Sequence, residues 1–239
     1  MGDAGLSSLP ADGTAVVLGA TGGIGAAIYE ALRASGRFAH VVGYGRRTEP
    51  ALEITDEAAV AAVAADADAR GGPVRLVFDA TGVLHDETLR PEKSWRHLDT
   101  EGLQRAFAVN AGGPALAMKH FLPRLPRRGK AVFATLSARV GSIGDNRVGG
   151  WYGYRAAKAA LNQLTHTAAI DLARRWPEAV CVALHPGTTD TPMTQPFNKS
   201  GLTVRSPEVA AHELLAVLDG LTPADSGGFR DQHGEVIPW

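Results

Sequence analysis

The chain is poor in cysteine, in net charge and in long apolar runs, and each shortage excludes a class of protein. Its 239 residues contain one cysteine, Cys181, so no disulfide can form within the chain. The formal net charge is −1, which predicts no nucleic-acid partner. No apolar run is long enough to span a membrane, and the first residues lack the basic-then-apolar pattern of a secretory signal. We therefore expect a cytoplasmic protein that binds neither nucleic acid nor a membrane.

The composition indicates one folded domain without a metal centre. The chain is 45% hydrophobic and has 28 glycines and 14 prolines, which is typical of a folded protein with many tight turns. Its eight histidines form no His-Glu-x-x-His motif and have no set of cysteines beside them, so we predict no bound metal. Residues 1–13 are rich in small and polar residues and predict a flexible tail, which leaves residues 14–239 as a single domain.

Short apolar runs alternate with helical patterns along the chain. Six apolar runs predict buried strands, at residues 15–18, 39–44, 52–54, 74–78, 130–136 and 180–184. Helical patterns cover residues 26–35, 57–69, 100–120, 151–162 and 207–218, and residues 227–239 predict a final hairpin or edge strand. This alternation predicts an α/β fold, a Rossmann-like doubly wound parallel sheet with helices on both faces.

A glycine-rich loop joins the first predicted strand to the first predicted helix. Gly19, Gly23 and Gly25 allow a tight turn and a close backbone approach to a ligand. A helix N-terminus after such a turn favours a phosphate group, because its free N–H groups and its dipole both attract negative charge. The G-x-x-x-G-x-G spacing differs from the G-x-G-x-x-G form. In this strand-to-helix context it still predicts a site for the pyrophosphate of a dinucleotide.

The second predicted strand ends in Gly45-Arg46-Arg47. In a dinucleotide-binding fold this strand end meets the adenosine ribose, where an acidic residue accepts from the 2′-hydroxyl and an arginine suits a 2′-phosphate. Two arginines and no acidic residue therefore favour NADP over NAD. The alternative is that Arg46 and Arg47 are ordinary surface charges.

Tyr154 and Lys158 stand four residues apart in an alanine-rich helical run, so they share one helix face. An ammonium close to a phenol favours the phenolate, so we expect the pKa of Tyr154 to lie below its ordinary value of about 10. A tyrosine of that kind can pass a proton to or from a substrate oxygen. Taken alone, the pair also fits a surface helix with an exposed lysine and a half-buried tyrosine.

Other polar residues follow predicted strands or interrupt a predicted helix. Asn110 is followed by two glycines inside the long helical pattern, a local conflict of the kind that marks functional sites. Ser137, residues 79–82 and His185 each follow a predicted strand. We therefore expect them to gather at the carboxyl edge of the parallel sheet, where ligands bind in such folds.

Five motifs occur in a fixed order: the glycine loop, Asn110, a serine after the fifth predicted strand, the Tyr154–Lys158 pair and Pro186-Gly187. In this order and spacing the chain resembles the short-chain dehydrogenases/reductases, in their single-domain branch, over nearly its whole length. The runs at residues 137–143, 149–155 and 237–239 are most similar to the C-factor and sniffer-type carbonyl reductases.

The resemblance implies an NADP(H)-dependent oxidoreductase that interconverts a small carbonyl compound and a secondary alcohol by hydride transfer. It makes Tyr154 the general acid/base and assigns the nicotinamide ribose to Lys158. It implies that Ser137 hydrogen-bonds the substrate oxygen. It also implies that Asn110 anchors a water molecule that relays protons to Lys158. Relatives are often dimers or tetramers, so a homodimer or a homotetramer is compatible with the resemblance.

The residues that the resemblance and the motifs assign to the cofactor come from seven segments of the chain. They are Gly19, Thr21, Gly23, Ile24, Gly25, Arg46, Arg47, Glu53, Ile54, Ala80, Thr81, Gly82, Asn110, Tyr154, Lys158, Pro186, Gly187, Thr188 and Thr191.

The chain departs from the family pattern at two places. Counting back from Gly141 puts Ala138 where the catalytic serine often stands, so Ser142 is a second candidate beside Ser137. The usual Asn-Asn-Ala-Gly after the fourth strand is Asp-Ala-Thr-Gly here, at residues 79–82. An alternative function is a non-catalytic dinucleotide-binding sensor or a C-factor-like signalling protein. A nucleotide-sugar epimerase is disfavoured, because the short C-terminal region leaves little room for a substrate domain.

Overall fold

A parallel sheet forms the centre of the molecule. The computed structural model describes residues 5–197 and 203–239. Within these residues the strands are β1 (Thr14–Leu18), β2 (His40–Tyr44), β3 (Val74–Asp79), β4 (Ala131–Leu136), β5 (Ala179–His185) and β6 (Phe229–Asp231). They lie in the order β2-β1-β3-β4-β5-β6, and every neighbouring pair is parallel. The strand order reverses between β1 and β3, and ligands bind at such a crevice in open α/β sheets.

Helices cover both faces of the sheet. They are α1 (Gly23–Ser35), α2 (Glu57–Ala69), α3 (Thr100–Phe107), α4 (Gly113–Phe121), α5 (Tyr152–Ala173) and α6 (Pro207–Gly220). Val16 and Leu18 of β1 point into a core shared with α2, α4 and α5. Ala15 and Val17 of the same strand point into the opposite core, which is shared with α1 and α6. The prediction of a doubly wound parallel sheet is confirmed.

Local sequence signals account for several helix ends. The Asp56 side chain accepts from the Ala58 N–H at 2.9 Å at the start of α2, as an N-cap does. Ser206 caps α6 in the same way, and Pro207 occupies the first helical position, where its missing N–H carries no cost. α1 ends at Ser35, and its C-cap Gly36 has a left-handed φ of 60°.

The long helix predicted at residues 100–120 is interrupted by one π-helical turn. Residues 108–112 form this turn between α3 and α4. Asn110 lies within it and is fully buried. A π turn inside a helix often marks a functional site, and the conflict that Asn110 and its glycines create in the sequence is its local cause.

The prediction of a third strand at residues 52–54 is wrong. Residues 52–54 form a loop, because the Leu52 N–H donates to the Gly45 carbonyl at 2.9 Å and folds this segment back on the end of β2. Its hydrogen bonds therefore stay within the loop instead of extending the sheet beyond β2. Leu52 and Ile54 are nevertheless buried, in the core beneath α2 and α4.

The predicted flexible tail differs from what the structure shows for residues 5–13. Leu6 and Leu9 are fully buried against the face that α1 and α6 share. The Asp219 carboxylate at the end of α6 accepts from the Ser8 N–H at 2.8 Å and fixes the segment. Residues 1–4 lie outside the described residues. Within the described part of the chain, no helix combines the length and the apolar character that crossing a membrane requires.

Candidate active site

A cleft of about 680 Å³ opens at the carboxyl edge of the sheet. Most of the predicted site residues line it: Gly19, Thr21, Gly23, Ile24, Gly25, Arg46, Glu53, Ile54, Ala80, Thr81, Gly82, Ser137, Tyr154, Lys158, Pro186, Gly187, Thr188 and Thr191. Arg47 and Asn110 are not part of its wall. The fold therefore brings into one cleft the segments that the sequence separates by more than 100 residues.

The glycine loop leaves the N-terminus of α1 open to the cleft. Gly22 is the N-cap of α1 and has no side chain to cap it, and the first turn contains no acidic residue. A Cβ at Gly25 would lie 2.2 Å from the Gly19 carbonyl oxygen, and one at Gly23 would lie 2.6 Å from the Thr191 side chain. The loop therefore needs glycine at both positions, and its N–H groups are placed to hold an anion.

Arg46 follows β2 and lines the cleft with an exposed side chain, whereas Arg47 is exposed outside the cleft wall. A Cβ at Gly45 would lie 2.6 Å from Thr21 Oγ1, so the segment after β2 presses against the glycine loop. This contact brings the segment that carries Arg46 next to the loop that precedes α1. Glu53 also lines the cleft, and its carboxylate accepts from Thr55 Oγ1 at 2.9 Å.

Lys158 and Tyr154 share one face of α5, as predicted. Lys158 Nζ donates to the Leu136 carbonyl at the end of β4 at 2.8 Å, and it lies over the Tyr154 ring, 5.7 Å from the centroid. Burial lowers the pKa of Lys158 to about 8, and the nearby Asp79 carboxylate opposes this change. One ammonium proton is used on Leu136, so two remain for the hydroxyl groups of a ligand.

Tyr154 is partly buried in the cleft wall. Burial raises the pKa of Tyr154 to about 12. The prediction of a lowered pKa is therefore wrong for this structure, because burial of the phenol disfavours the charged phenolate. At neutral pH Tyr154 is a phenol that carries a proton to donate.

Asn110 fixes the loop that follows β3. Its Oδ1 accepts from the Val83 N–H at 3.0 Å, and its Nδ2 donates to the carbonyls of Val83 at 2.8 Å and Ala106 at 3.0 Å. A Cβ at Gly82 would lie 3.1 Å from Asn110 Oδ1 and 3.6 Å from Lys158 Nζ. Asn110 thus lies behind Gly82, close to Lys158, with both amide protons used within the protein. The implied water relay stays a prediction.

Neither candidate serine offers a free hydroxyl proton to the cleft. Ser137 lines the cleft, but its Oγ donates to Asn162 Oδ1 at 2.6 Å. Ser142 Oγ donates to the Pro238 carbonyl, and Ser142 is not part of the cleft wall. This arrangement differs from the role that the resemblance implies for Ser137. Asn162 was not predicted, although it lies four residues after Lys158 on the same helix face.

Asp79 ends β3 as a fully buried carboxylate. Its Oδ1 accepts from the Thr81 N–H at 3.0 Å and the Thr81 hydroxyl at 2.6 Å, and its Oδ2 accepts from the Thr135 hydroxyl at 2.7 Å. Burial raises the pKa of Asp79, while these bonds and the Lys158 charge lower it. Aspartate can therefore replace the usual asparagine and still order residues 79–82 at the cleft.

Two residues outside the predicted site hold the start of α5. The buried Glu92 carboxylate accepts from the Gly153 N–H at 3.1 Å, and the Glu92 carbonyl accepts from the Trp151 N–H. Trp151 is the N-cap and has a φ of 54°, a left-handed conformation that is unusual for a bulky residue. No local sequence pattern indicates that Glu92 contacts the start of α5, because Glu92 is 61 residues from Gly153. The two glycines before Trp151 do indicate an unusual backbone there.

A row of aromatic rings extends from Tyr154 along the cleft. Trp151 contacts Tyr154 edge to face with ring centroids 6.3 Å apart, and it contacts Phe197 in the same way at 5.2 Å. Phe197 contacts His85 at 5.4 Å. Trp151 therefore lines the cleft and also packs the loop at the start of α5. The rings give the cleft an apolar wall beside its polar end.

The doubly wound sheet, with a tyrosine–lysine pair at its carboxyl edge, is the architecture of a Rossmann-like oxidoreductase. A family model described as short chain dehydrogenase matches residues 13–201. The chain belongs to the short-chain dehydrogenase family, and it is an oxidoreductase by that membership.

Three similar proteins place the chain within the family. It is 31% identical over 236 residues to 1-hydroxy-2-glutathionyl-2-methyl-3-butene dehydrogenase of Rhodococcus sp. (strain AD45), covering 95% of this chain and 99% of the relative. It is 37% identical over 172 residues to C-signal of Myxococcus xanthus, covering 70% and 94%. The NADPH-bound carbonyl reductase from chicken fatty liver superposes with a TM-score of 0.83 at 25% identity, covering 97% and 95%. The resemblance to C-factor and carbonyl reductases is confirmed.

Proposed function

We propose that this protein is an NADP(H)-dependent oxidoreductase that interconverts a small carbonyl compound and the corresponding secondary alcohol. The observation that carries the proposal is that Tyr154 and Lys158 line the same cleft as the open N-terminus of α1. A proton donor and a dinucleotide site side by side are what carbonyl reduction requires. The relative and the solved structure, named as a dehydrogenase and a carbonyl reductase, support the reaction class.

The residues of the cleft fit a phosphorylated dinucleotide. The N–H groups of α1 suit its pyrophosphate, and the Lys158 ammonium retains two protons for ribose hydroxyls. Arg46 lines the same cleft, and its guanidinium suits a 2′-phosphate that NAD lacks. When bound, NADPH supplies the hydride that reduces the carbonyl carbon.

Tyr154 and Lys158 carry out the proton transfer that accompanies reduction. In the reducing direction the Tyr154 phenol donates its proton to the substrate oxygen, and a pKa of about 12 keeps that proton present at neutral pH. The Lys158 ammonium, 5.7 Å from the ring centroid, stabilises the phenolate that remains. Trp151 and Phe197 form the apolar surface against which the rest of the substrate packs.

The cofactor assignment is tested by fluorescence titration of the purified protein with NADPH and with NADH. We expect NADPH to bind more tightly, and Arg46→Asp to weaken NADPH binding by roughly tenfold or more, because a charge-assisted hydrogen bond is lost. Arg47→Asp is the matched comparison, and we expect a smaller effect because Arg47 lies outside the cleft wall. Equal losses in the two variants, or tighter binding of NADH, would contradict the assignment of Arg46.

The reaction is tested by following NADPH consumption with a panel of aldehydes, ketones and keto esters, and NADP⁺ reduction with secondary alcohols. A primary alcohol with a thioether on the carbon next to the hydroxyl-bearing carbon should be added, because the name of the Rhodococcus relative describes such a compound. Turnover of at least one class is the expected result. Tight NADPH binding without turnover of any member would contradict the proposed reaction.

A signalling role is the second candidate. The observation in its favour is the 37% identity to C-signal, joined to the commitment of the Ser137 hydroxyl to Asn162. This candidate predicts dinucleotide binding with little turnover, and a cellular effect that Tyr154→Phe leaves intact. The intact pair of Tyr154 and Lys158 favours the enzyme, since a sensor has no need of a phenol beside a buried ammonium.

A further inference from the structure

The segment after β4 places no free hydroxyl proton in the cleft. Ser137 and Asn162 are buried, with 3% and 2% of their surfaces exposed, and the Ser137 hydroxyl donates to Asn162. The next residue, Ala138, lines the cleft and has no polar side-chain atom. A hydroxyl has one proton, so the Ser137 hydroxyl cannot also donate to a substrate oxygen in this arrangement.

Ala138 lines the cleft beside the contacts that fix Lys158. Ala138 has an extended backbone, with φ −148° and ψ 143°, so its side chain and that of Ser137 point to opposite sides. On one side of Ala138, the Leu136 carbonyl accepts from Lys158 Nζ. On the other side, Gly141 packs so closely that a Cβ there would lie 2.8 Å from Lys158 Cβ. Ala138 therefore lies between two contacts to Lys158.

More than one contact keeps the Ser137 hydroxyl on Asn162 and not turned into the cleft. Its backbone N–H donates to the Leu184 carbonyl at 2.8 Å, which fixes the chain at this point. Within the described residues, Asn162 Nδ2 is already buried without a hydrogen-bond partner. Turning the Ser137 hydroxyl towards the cleft would leave both ends of the Asn162 amide unpartnered in the interior, which is strongly unfavourable.

We propose that Ala138 is a specificity-determining residue that restricts efficient reduction to carbonyls activated by their own electron-withdrawing substituents. The proposal rests on the proposed function. In the reduction the carbonyl carbon gains the hydride of NADPH, which leaves as NADP⁺, and the oxygen gains the proton of Tyr154. C–H and O–H bonds thus replace the C=O π bond.

Negative charge develops on the substrate oxygen as the carbon accepts the hydride. A preorganised donor to such an oxygen typically contributes about 10²- to 10³-fold in kcat. With alanine at position 138 the segment after β4 withholds that donor, and the substrate itself must disperse the charge. Keto esters, trifluoromethyl ketones and vicinal dicarbonyls do so, whereas simple dialkyl ketones do not.

The test is a series of para-substituted acetophenones, reduced with NADPH by the wild-type protein and by Ala138→Ser. We expect the wild-type kcat/KM to rise steeply with electron withdrawal. Ala138→Ser adds a hydroxyl, so we expect it to speed the least activated ketones by roughly tenfold or more and to flatten the slope. Ala138→Cys, of similar size but with a weak donor, is the matched control and should not flatten it. Ser137→Ala should lose less than about tenfold, which a serine that served the substrate oxygen would exceed.

A second measurement needs no cofactor. A serine hydroxyl at position 138 can donate to the Tyr154 phenolate, and a hydrogen bond to the charged form lowers a pKa. Spectrophotometric titration is therefore expected to give a lower pKa for Tyr154 in Ala138→Ser than in Ala138→Cys. An equal pKa in the two variants would show that position 138 does not face Tyr154 and would overturn the proposal.

The outcomes separate this inference from the proposed function. A flat wild-type series, or no gain in an Ala138→Ser variant that melts and binds NADPH like the wild type, overturns the inference alone. Absence of turnover with every carbonyl, in the presence of NADPH binding, overturns the proposed function and the inference with it. The wild-type slope requires no variant, so a flat series would overturn the inference even if Ala138→Ser fails to fold.

Discussion

Replacing Lys158 by methionine should leave the protein as stable as the wild type at neutral pH, or slightly more stable, although the variant loses a hydrogen bond. The same replacement should abolish activity. Lys158 is 3% exposed, and burial lowers its pKa from the ordinary 10.5 to about 8. Holding the charged form in the interior therefore costs about 3 kcal/mol below pH 8, since each pKa unit corresponds to about 1.4 kcal/mol. Methionine has a similar length and carries no charge.

Loss of the hydrogen bond between Lys158 and Leu136 lowers the stability of the variant. Lys158 Nζ donates to the Leu136 carbonyl at 2.8 Å, and leaving that carbonyl unpartnered costs about 1–3 kcal/mol. The net change at neutral pH should therefore lie between about 0 and 2 kcal/mol in favour of the variant. The dependence on pH is a sharper quantity, because the lost bond contributes little to it.

The sign of the pH dependence follows from the lowered pKa. Between about pH 8 and pH 10.5 the folded wild type loses the Lys158 proton while the unfolded chain keeps it, so wild-type stability rises with pH in this window. Urea unfolding of both proteins across the window measures the difference, in which the titrating groups that do not interact with Lys158 cancel. We expect wild type to gain about 3 kcal/mol relative to Lys158→Met. A difference that does not change with pH would refute the reasoning.

The charge of Lys158, the hydrogen bond of Glu92 and the backbone of Trp151 each lead to a further prediction. The kcat/KM for reduction should be constant at lower pH and fall roughly tenfold per pH unit above about pH 8, as Lys158 loses its charge; a flat profile through this range would contradict a role for the ammonium. Glu92→Gln should lower the free energy of unfolding by about 1 kcal/mol, because the carboxylate that accepts from Gly153 at the start of α5 loses its charge, and an unchanged urea midpoint would argue against this. Trp151→Gly should be more stable than Trp151→Ala by roughly 1 kcal/mol, because glycine adopts a φ of 54° without strain, and the reverse order would show that the left-handed backbone stores no strain.

Most of the fold could be predicted from the sequence, because residues within or next to each helix and strand determine where that element begins and ends. Asp56 caps the helix predicted at residues 57–69, and the structure has α2 at the same residues. The run at residues 52–54 could not be assigned correctly, since three apolar residues bury equally well in a loop that packs under two helices. Leu6 and Leu9 were missed because their burial depends on α6, which begins at Pro207, far along the chain.

The candidate site could be predicted where one helix or one loop carries the geometry. Tyr154 and Lys158 share a face because they are four residues apart, and the glycine loop follows directly from its strand-to-helix context. The direction of the Tyr154 pKa could not be predicted, because it depends on burial that only the assembled cleft provides. The partners of Ser137 and Gly153, which are Asn162 and Glu92, come from the tertiary fold for the same reason.

The most direct test of the central claim is the turnover of Tyr154→Phe with NADPH and the best carbonyl substrate, measured beside the affinity of the same variant for NADPH. Phenylalanine keeps the ring that contacts Trp151 and Lys158 and removes only the proton donor. We predict an unchanged NADPH affinity and a loss of turnover of roughly 10²-fold or more, the usual contribution of a general acid. Turnover that survives the substitution would contradict the assignment of Tyr154 and, with it, the proposed mechanism.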